Sequence, residues 1–302
     1  MNVLSLFDGM SCGRLALGKA GIQVDNYYSS EIDKYAIKVA DNNYPQDIQN
    51  RLGDITKITK EQLLNLPKID LLIGGSPCQG LSSSNVYLKE GGYGINGTGA
   101  SRLFWEYIRI YKELKIINPN IKFLLENVGS SKIEDREIIN KELETIGVKF
   151  NSNLLSAQKR NRIYWSNISF KVPKERIDIY MQDILENNVN DKYYLTEKMY
   201  NCVMKPASKG WQSGKMEIDL KIARPLTATM HKMHRADTDN YISTKYKSLN
   251  KTNVRRLTPL ECERLQTVPD NYTSGVSDTQ RYKMLGNGWT VDVVAHIFKG
   301  LK

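Results

Sequence analysis

One stretch constrains the fold of this 302-residue chain more than any other: Ile69-Asp-Leu-Leu-Ile-Gly-Gly-Ser-Pro-Cys-Gln-Gly-Leu-Ser82. Its apolar first five residues, followed by two glycines, are typical of a short strand covered on both faces, as in a parallel sheet. The small residues let the backbone approach a ligand closely, and Pro77 fixes φ just before Cys78. A thiol past the carboxyl end of a strand stands where open α/β sheets bind ligands, although a free cysteine is more often packed as a small apolar side chain.

Strand, loop and helix alternate before this stretch. Val3–Phe7 is a short apolar run, Asp8–Gly13 is a glycine-containing loop, and the helical spacing that follows stops at Gly21. A second unit leads from a strand within residues 23–30 into a helix over residues 32–42. This alternation predicts a doubly wound, mostly parallel α/β sheet, whose first loop directs N–H groups at a ligand carboxylate or phosphate.

Acidic and basic side chains stand at or near the ends of the predicted strands. Glu31 is placed to accept hydrogen bonds from a ribose, or it is only an acid favoured by the helix macrodipole. Asp54 could accept from an adenine amino group, or it only caps the next helix. Glu126 directly follows a buried apolar run and is a general-acid candidate. Arg160 and Arg162 alternate ahead of a further strand and are expected to point towards one ligand.

The positive charge is concentrated in one part of the chain. The net formal charge is +10, and residues 198–256 contain 13 Lys and Arg against 4 Asp and Glu, a net +9. Such a basic block indicates a polyanion partner, or else a solvated lysine-rich face. Hydrophobic periodicity weakens over the same region. We therefore predict a catalytic domain at residues 1–167, a small loop-rich domain at 168–254, and a return to the first domain at 255–302, with helices over 255–266 and 290–300.

Composition excludes several classes of protein. The cysteines at positions 12, 78, 202 and 262 form no C-x-x-C pair, which argues against a disulfide framework and a structural zinc site. No apolar run approaches the roughly 18 residues of a membrane span. The N-terminus lacks the basic region of a signal peptide. We expect a monomeric cytoplasmic protein in a reducing compartment, without metal or membrane association.

Taken together, these blocks resemble the DNA cytosine-5 methyltransferase family. The matching blocks follow the family's order: Phe7-x-Gly9, Glu31, Asp54, Pro77-Cys78-Gln79, Glu126-Asn127-Val128, Gln158-x-Arg160-x-Arg162, the penultimate block Arg256–Gln266, and Gly286-Asn287. The resemblance covers about residues 1–166 and 255–302, and the family keeps its target recognition domain in the segment between them. Ser11 and Cys12 stand where the family usually has two glycines, a variant that resembles the animal de novo methyltransferases.

The resemblance implies a fold of the S-adenosylmethionine-dependent methyltransferase type, with S-adenosylmethionine as the cofactor. Ile32 is expected to pack on the adenine ring. The residues implied to line the cofactor pocket are Phe7, Asp8, Gly9, Met10, Ser11, Cys12, Gly13, Glu31, Ile32, Asp54, Ile55, Asn287, Gly288 and Trp289.

For catalysis, the resemblance implies a covalent mechanism on a cytosine that is flipped out of duplex DNA. Cys78 would add to carbon 6 of the ring, and Arg160 and Arg162 would lower the pKa of its thiol. Glu126 would hold or deliver a proton at N3, and Arg162 would bind O2. The candidates for DNA contact are Gln79, Ser82, His231, Lys232, His234, Arg235 and Arg256.

Two alternatives remain within this family. One branch with similar blocks methylates transfer RNA, but its Cys-Phe-Thr signature is absent from residues 168–254. A catalytically silent member would only bind DNA or a partner, although Cys78, Glu126 and both arginines are present here. We expect a bacterial or phage-encoded, nucleoid-associated enzyme of the restriction-modification type.

Overall fold

The computed structural model describes residues 1–77, 94–97, 99–204, 217–232, 236–245 and 251–302. The chain divides into two compact units. The first unit contains Met1–Asn151, Asn161–Val172 and Val293–Lys302, and the second contains Ser152–Arg160 and Pro173–Asp292. The chain thus returns to the first unit at residue 293, whereas the sequence places that return at 255. The boundaries 1–167, 168–254 and 255–302 stay a prediction.

The first unit is built on a six-stranded sheet in the order β2-β1-β3-β4-β6-β5. Its strands are β1 Asn2–Leu6, β2 Asn26–Ser30, β3 Leu71–Gly75, β4 Lys122–Val128, β5 Val148–Asn151 and β6 Asn161–Ser166. The pairs β1–β2, β1–β3 and β3–β4 are parallel, and β6 is antiparallel to both β4 and β5. The prediction of a doubly wound, mostly parallel sheet is confirmed.

Helices connect the parallel strands, because a parallel pair needs a crossover connection. They are α1 Cys12–Lys19, α2 Lys34–Asn43, α3 Lys60–Asn65, α4 Phe104–Ile117 and α5 Ile133–Leu143. Helix α4 buries an apolar face whose members recur at helical spacing, namely Phe104, Tyr107, Ile108, Tyr111 and Leu114. That face packs with Leu4, Leu72 and Phe123 of the sheet in one core.

The chain reverses its direction of winding between β1 and β3, because β2 lies on one side of β1 and β3 on the other. Open α/β sheets bind ligands at such a switch point, outside the carboxyl ends of the strands. In the register of this pair, Leu6 lies opposite Gly74. A Cβ at Gly74 would stand 2.9 Å from the Leu6 carbonyl oxygen and 3.0 Å from the Tyr107 ring, so this position needs a glycine.

The second unit contains a three-stranded antiparallel sheet in the order β7-β9-β8. Its elements are β7 Tyr194–Thr196, α6 Glu197–Met204, β8 Tyr241–Ser243, β9 Lys251–Arg256, α7 Pro259–Leu265 and α8 Asp278–Asn287. A small core of Leu195, Val203, Ala236, Tyr241 and Val254 lies on this sheet. The last helix, α9 Val291–Phe298, leads the chain from the second unit to the first.

The helix predicted to start at Arg255 begins instead at Pro259. Thr258 forms a capping box with Glu261: its hydroxyl accepts from the Glu261 N–H, and the Glu261 carboxylate accepts from the Thr258 N–H. Arg255 belongs to β9, where it is buried and forms a bidentate pair with the same carboxylate. In the described part of the chain, no helix has the length and apolar character needed to cross a membrane.

Candidate active site

The loop between β1 and α1 lies at the switch point of the sheet and has an unusual backbone conformation. Phe7, Gly9 and Ser11 all have positive φ, at 57°, 58° and 61°. Non-glycine residues rarely adopt this conformation, and surrounding contacts must hold it. We call residues 7–11 the switch loop. Met10 within it is buried, as are Cys12 and Gly13 at the start of α1.

Main-chain and side-chain bonds attach the switch loop to the end of β2. The Asp8 N–H donates to the Ser30 carbonyl (3.0 Å), and the Gly9 N–H donates to the Glu31 Oε2 (2.8 Å). The other oxygen of Glu31 accepts from the N–H groups of Ile32 and Asp33, each at 2.8 Å. The Glu31 carboxylate is therefore fixed beside the loop, as a ribose acceptor at this point would have to be.

The predicted adenine-binding residues have different environments. The Ile32 side chain is 73% exposed, a large apolar surface left open beside Glu31. Asp54 accepts hydrogen bonds from the backbone N–H and hydroxyl of Thr56, which lower the pKa of its carboxyl group. Ile55 is buried in the core of the first unit. Of these residues, Ile32 offers the apolar surface on which a ring could stack.

Asp8 faces the interior. One carboxylate oxygen accepts from the Ser11 hydroxyl and the other from the Tyr27 hydroxyl of β2, both at 2.6 Å. Burial raises the pKa of Asp8, an effect that the hydroxyl groups of Ser11, Tyr27 and Ser5 partly offset. Burial and the neighbouring Asp8 raise the pKa of Tyr27 well above its ordinary value. Sequence reasoning did not single out Tyr27, and the only signal was its place in a predicted strand.

Glu126 and Arg162 meet through strand pairing. Glu126 lies in β4, and the antiparallel register of β4 with β6 sets Val128 opposite Arg162. The Arg162 Nε lies 2.7 Å from the Glu126 Oε1. Both side chains are largely buried, so the ion pair is only weakly screened by solvent. The strand register thus joins two residues that stand 36 positions apart in the sequence.

Asn127 connects this ion pair to the segment that leads to Cys78. It is buried, and its Nδ2 donates to the carbonyl oxygen (3.2 Å) and the hydroxyl (3.0 Å) of Ser76. Cys78 follows two residues later and lies outside the described residues. Sequence reasoning assigned Asn127 no role of its own. Its contacts with Ser76 suggest that it holds the segment before Cys78.

Arg160 does not lie in β6 but just before it, and it is buried. Its guanidinium donates to the carbonyls of Leu226 (2.9 Å), Gly286 (2.9 Å) and Gly288 (3.0 Å). The sequence predicts that Arg160 and Arg162 face one ligand, whereas in the structure each guanidinium has protein partners of its own. The catalytic part assigned to Arg160 stays a prediction.

Of the predicted cofactor residues, Asn287 is the last residue of α8, and Gly288 and Trp289 follow it in the second unit. Their backbone is fixed by buried amides: Gln266 donates to the carbonyls of Leu285 (2.7 Å) and Gly288 (3.2 Å). A Cβ on Gly286 would lie 2.3 Å from the backbone of residues 227 and 228. This segment therefore packs backbone against backbone.

The predicted DNA-contacting residues are only partly described. Gln79, Ser82, His234 and Arg235 lie outside the described residues. Lys232 is exposed and His231 is half-buried. Arg256 donates to the His231 carbonyl (3.0 Å) and lies over the rings of Tyr193 and Tyr282, at 5.5 and 5.1 Å from the centroids. Its charge is thus directed into the second unit as much as towards solvent. Among the described residues, no group of acidic, histidine or cysteine side chains could hold a metal ion.

Known proteins resemble the chain over its whole length. It matches the family described as C-5 cytosine-specific DNA methylase over residues 1–302. Type II methyltransferase M1.ScrFI of Lactococcus lactis subsp. cremoris is 31% identical over 318 residues, which cover 97% of this chain and 75% of that protein. Type II methyltransferase M.NlaX of Neisseria lactamica is 30% identical over 322 residues, which cover 99% and 96%.

A solved structure shares the fold. The methyltransferase EhMeth of Entamoeba histolytica superimposes with a TM-score of 0.76 and 20% identity, covering 100% of this chain and 99% of that one. At this identity the likeness extends to the architecture, and it agrees with the fold type predicted from the sequence.

Proposed function

Because the chain belongs to the family of C-5 cytosine-specific DNA methylases, we propose that it transfers a methyl group from S-adenosylmethionine to carbon 5 of a cytosine in duplex DNA. The observation that carries this proposal is the Glu126–Arg162 ion pair, at the carboxyl end of β4 and joined through Asn127 to the segment before Cys78. A carboxylate, a guanidinium and a thiol are the three groups that the reaction needs.

The residues around the switch loop fit S-adenosylmethionine. The fixed Glu31 carboxylate suits a ribose, and the exposed Ile32 suits an adenine ring. When bound there, S-adenosylmethionine supplies an electrophilic methyl group on a sulfonium. We assign Glu31, Ile32, Asp54 and the backbone of the switch loop to its binding, and Asn287, Gly288 and Trp289 stay predicted contacts.

Cytosine carbon 5 is too weak a nucleophile to take this methyl group unaided, so we propose covalent activation by Cys78. The thiolate forms a bond to carbon 6 while Glu126 provides a proton at N3, and the ring becomes electron-rich at carbon 5. Arg162 binds O2 and stabilises the charge that develops on the ring. Methylation of carbon 5 leaves S-adenosylhomocysteine. The carbon 5 proton then goes to a base, the carbon–sulfur bond breaks, the thiolate is released, and the proton at N3 returns to Glu126.

The ring cannot be reached inside the base stack, so the cytosine must leave the duplex. We propose that the basic residues of 198–256 hold the DNA, mainly through its phosphates, and that residues 168–254 act as a target recognition domain. The names of the two bacterial relatives favour a type II modification enzyme. We propose the cytoplasm as its place of action. We propose that it acts as a monomer.

Covalent trapping tests this proposal. Duplex DNA containing 5-fluorocytosine has no removable proton at carbon 5, so a Cys78 enzyme should become covalently joined to it in the presence of S-adenosylmethionine. We expect an adduct with the wild type and none with Cys78→Ala. The matched control is Cys202→Ala, an exposed cysteine in α6, which should form the adduct as the wild type does.

The outcomes separate the alternatives. Persistence of the adduct in Cys78→Ala would remove Cys78 as the nucleophile, whereas its loss in both variants would mean that the loss is not specific to Cys78. Wild-type protein that binds duplex DNA without trapping or methylating it would be a silent binding protein. The same assay on transfer RNA tests the RNA alternative, since an adduct formed with RNA but not DNA would overturn the DNA substrate. The DNA must cover many sequence contexts, because the recognition site is not known.

A further inference from the structure

We propose that Asp8 and Tyr27 are positioning residues for the switch loop. From the protein interior they fix the loop in the conformation that binds S-adenosylmethionine, and they do not touch the cofactor. This inference rests on the proposed function and concerns how its cofactor site is shaped. It differs from the expectation that the side chain of Asp8 lines the cofactor pocket.

The Asp8 side chain faces the protein interior. Both of its oxygens have inward partners, since Oδ2 accepts from Ser11 and Oδ1 from Tyr27, each at 2.6 Å. Asp8 is 7% exposed and Tyr27 is 1% exposed. The Tyr27 hydroxyl is so deeply buried that it can influence a ligand at the loop only through the Asp8 carboxylate to which it donates.

The backbone of the switch loop has an unusual conformation on both sides of Asp8. Two non-glycine residues with positive φ, Phe7 and Ser11, stand on either side of Asp8 in the sequence. Such a conformation persists only where the surroundings over-determine it. Asp8 makes three hydrogen bonds that hold the loop. Its N–H donates to the Ser30 carbonyl, its carbonyl accepts from the Ser11 N–H, and its carboxylate accepts from the Ser11 hydroxyl. Tyr27 then fixes that carboxylate to β2.

The electrostatics of the site agree with a functional reason for a buried acid. Removing a carboxylate from water is unfavourable, and repulsion by the nearby Glu31 charge adds to that cost. Both effects raise the pKa of Asp8. An apolar residue would avoid both effects at this position. The carboxylate is, however, an acceptor for two hydroxyl groups at once, and a neutral amide cannot reproduce that pattern as well.

Tyr27→Phe removes one hydroxyl and leaves the ring that fills the core. We expect its dissociation constant for S-adenosylhomocysteine, measured by calorimetry, to rise by about tenfold, the size of one charge-assisted hydrogen bond. The KM for S-adenosylmethionine should rise similarly, while the affinity for duplex DNA stays the same. Tyr28→Phe is the matched control, because it removes the same atom from the next residue of β2, and its dissociation constant should equal that of the wild type.

A double-mutant cycle tests whether the two residues act as one device. Asp8→Asn keeps the size of the side chain and should weaken binding by a similar factor, and the double variant should bind no more weakly than the worse single variant. Additive losses would overturn the pairing. Should Tyr27→Phe fail to fold, as judged by circular dichroism, Asp8→Asn and Ser11→Ala provide the same comparison through their shared hydrogen bond.

The two proposals fail in different ways. Wild-type protein that does not bind S-adenosylhomocysteine overturns the proposed function. Wild-type protein that binds it, together with a folded Tyr27→Phe that binds within about twofold of the wild type, overturns the positioning role alone.

Discussion

Among single residues, Asp8 has a pKa that burial raises above its ordinary value of 3.8. The folded state therefore holds this proton more tightly than the unfolded state. Stability contributed by the group is complete below 3.8 and is lost as the pH rises through the raised value. Asp8→Asn removes this titration, so the free energy of unfolding of the variant, relative to the wild type, should increase with pH over that window. Urea unfolding at a series of pH values measures it, and a constant difference would contradict the prediction.

Residues of the candidate site could be predicted from the sequence when a strand directly precedes them. Glu126 and Glu31 were singled out because each directly follows a predicted strand. In the structure Glu31 does follow β2, whereas Glu126 lies within β4, two residues before its end. Tyr27 and Asn127 could not be assigned in the same way. Their roles depend on hydrogen bonds to residues 19 and 51 positions away, which no local pattern reveals.

Among the elements, the segment after α8 depends on Arg160. Arg160→Met would leave three carbonyls, those of Leu226, Gly286 and Gly288, without their charged donor. We expect the free energy of unfolding to fall by about 3 kcal/mol, roughly 1 kcal/mol for each lost bond. Urea unfolding measures the loss.

Arg224→Met is a control in the same unit, because its guanidinium serves one carbonyl, that of Asp239, and the exposed carboxylate of Glu217. Its loss should be clearly smaller. Equal losses, or an Arg160→Met variant as stable as the wild type, would show that Arg160 does not hold this segment.

Elements with a local signal were predicted better than those set by distant partners. The apolar runs of β1, β3 and β4 and the helix predicted over residues 32–42, which is α2, gave correct elements, with ends displaced by a few residues. β9 was missed because Arg255, at its end, reads as a solvated charge. In the structure Arg255 is buried, and both of its terminal nitrogens donate hydrogen bonds to the Glu261 carboxylate of α7. Helix α8 was not predicted at all.

In the whole molecule, the excess positive charge and the proposed catalytic pair belong to different parts of the chain. Residues 198–256 carry a net +9 of the total +10, whereas Glu126 and Arg162 belong to the first unit. Composition alone could indicate a polyanion partner, because electrostatic attraction depends on net charge rather than on the details of packing. Base recognition depends on individual side chains in grooves, so the recognition sequence could not be predicted.

The salt dependence of DNA binding tests which part of the molecule meets the phosphates. Each phosphate contact contributes about 0.9 to the slope of log affinity against log salt concentration. Lys232 is exposed in the second unit, so Lys232→Gln should reduce the magnitude of the slope by about 1 for any duplex sequence. Lys112→Gln makes the same change in net charge on α4 of the first unit, where Lys112 pairs with Glu142, and it should leave the slope unchanged. Fluorescence anisotropy over a salt series measures both. Equal slopes for the two variants would mean that Lys232 contributes only to the overall charge and contacts no phosphate.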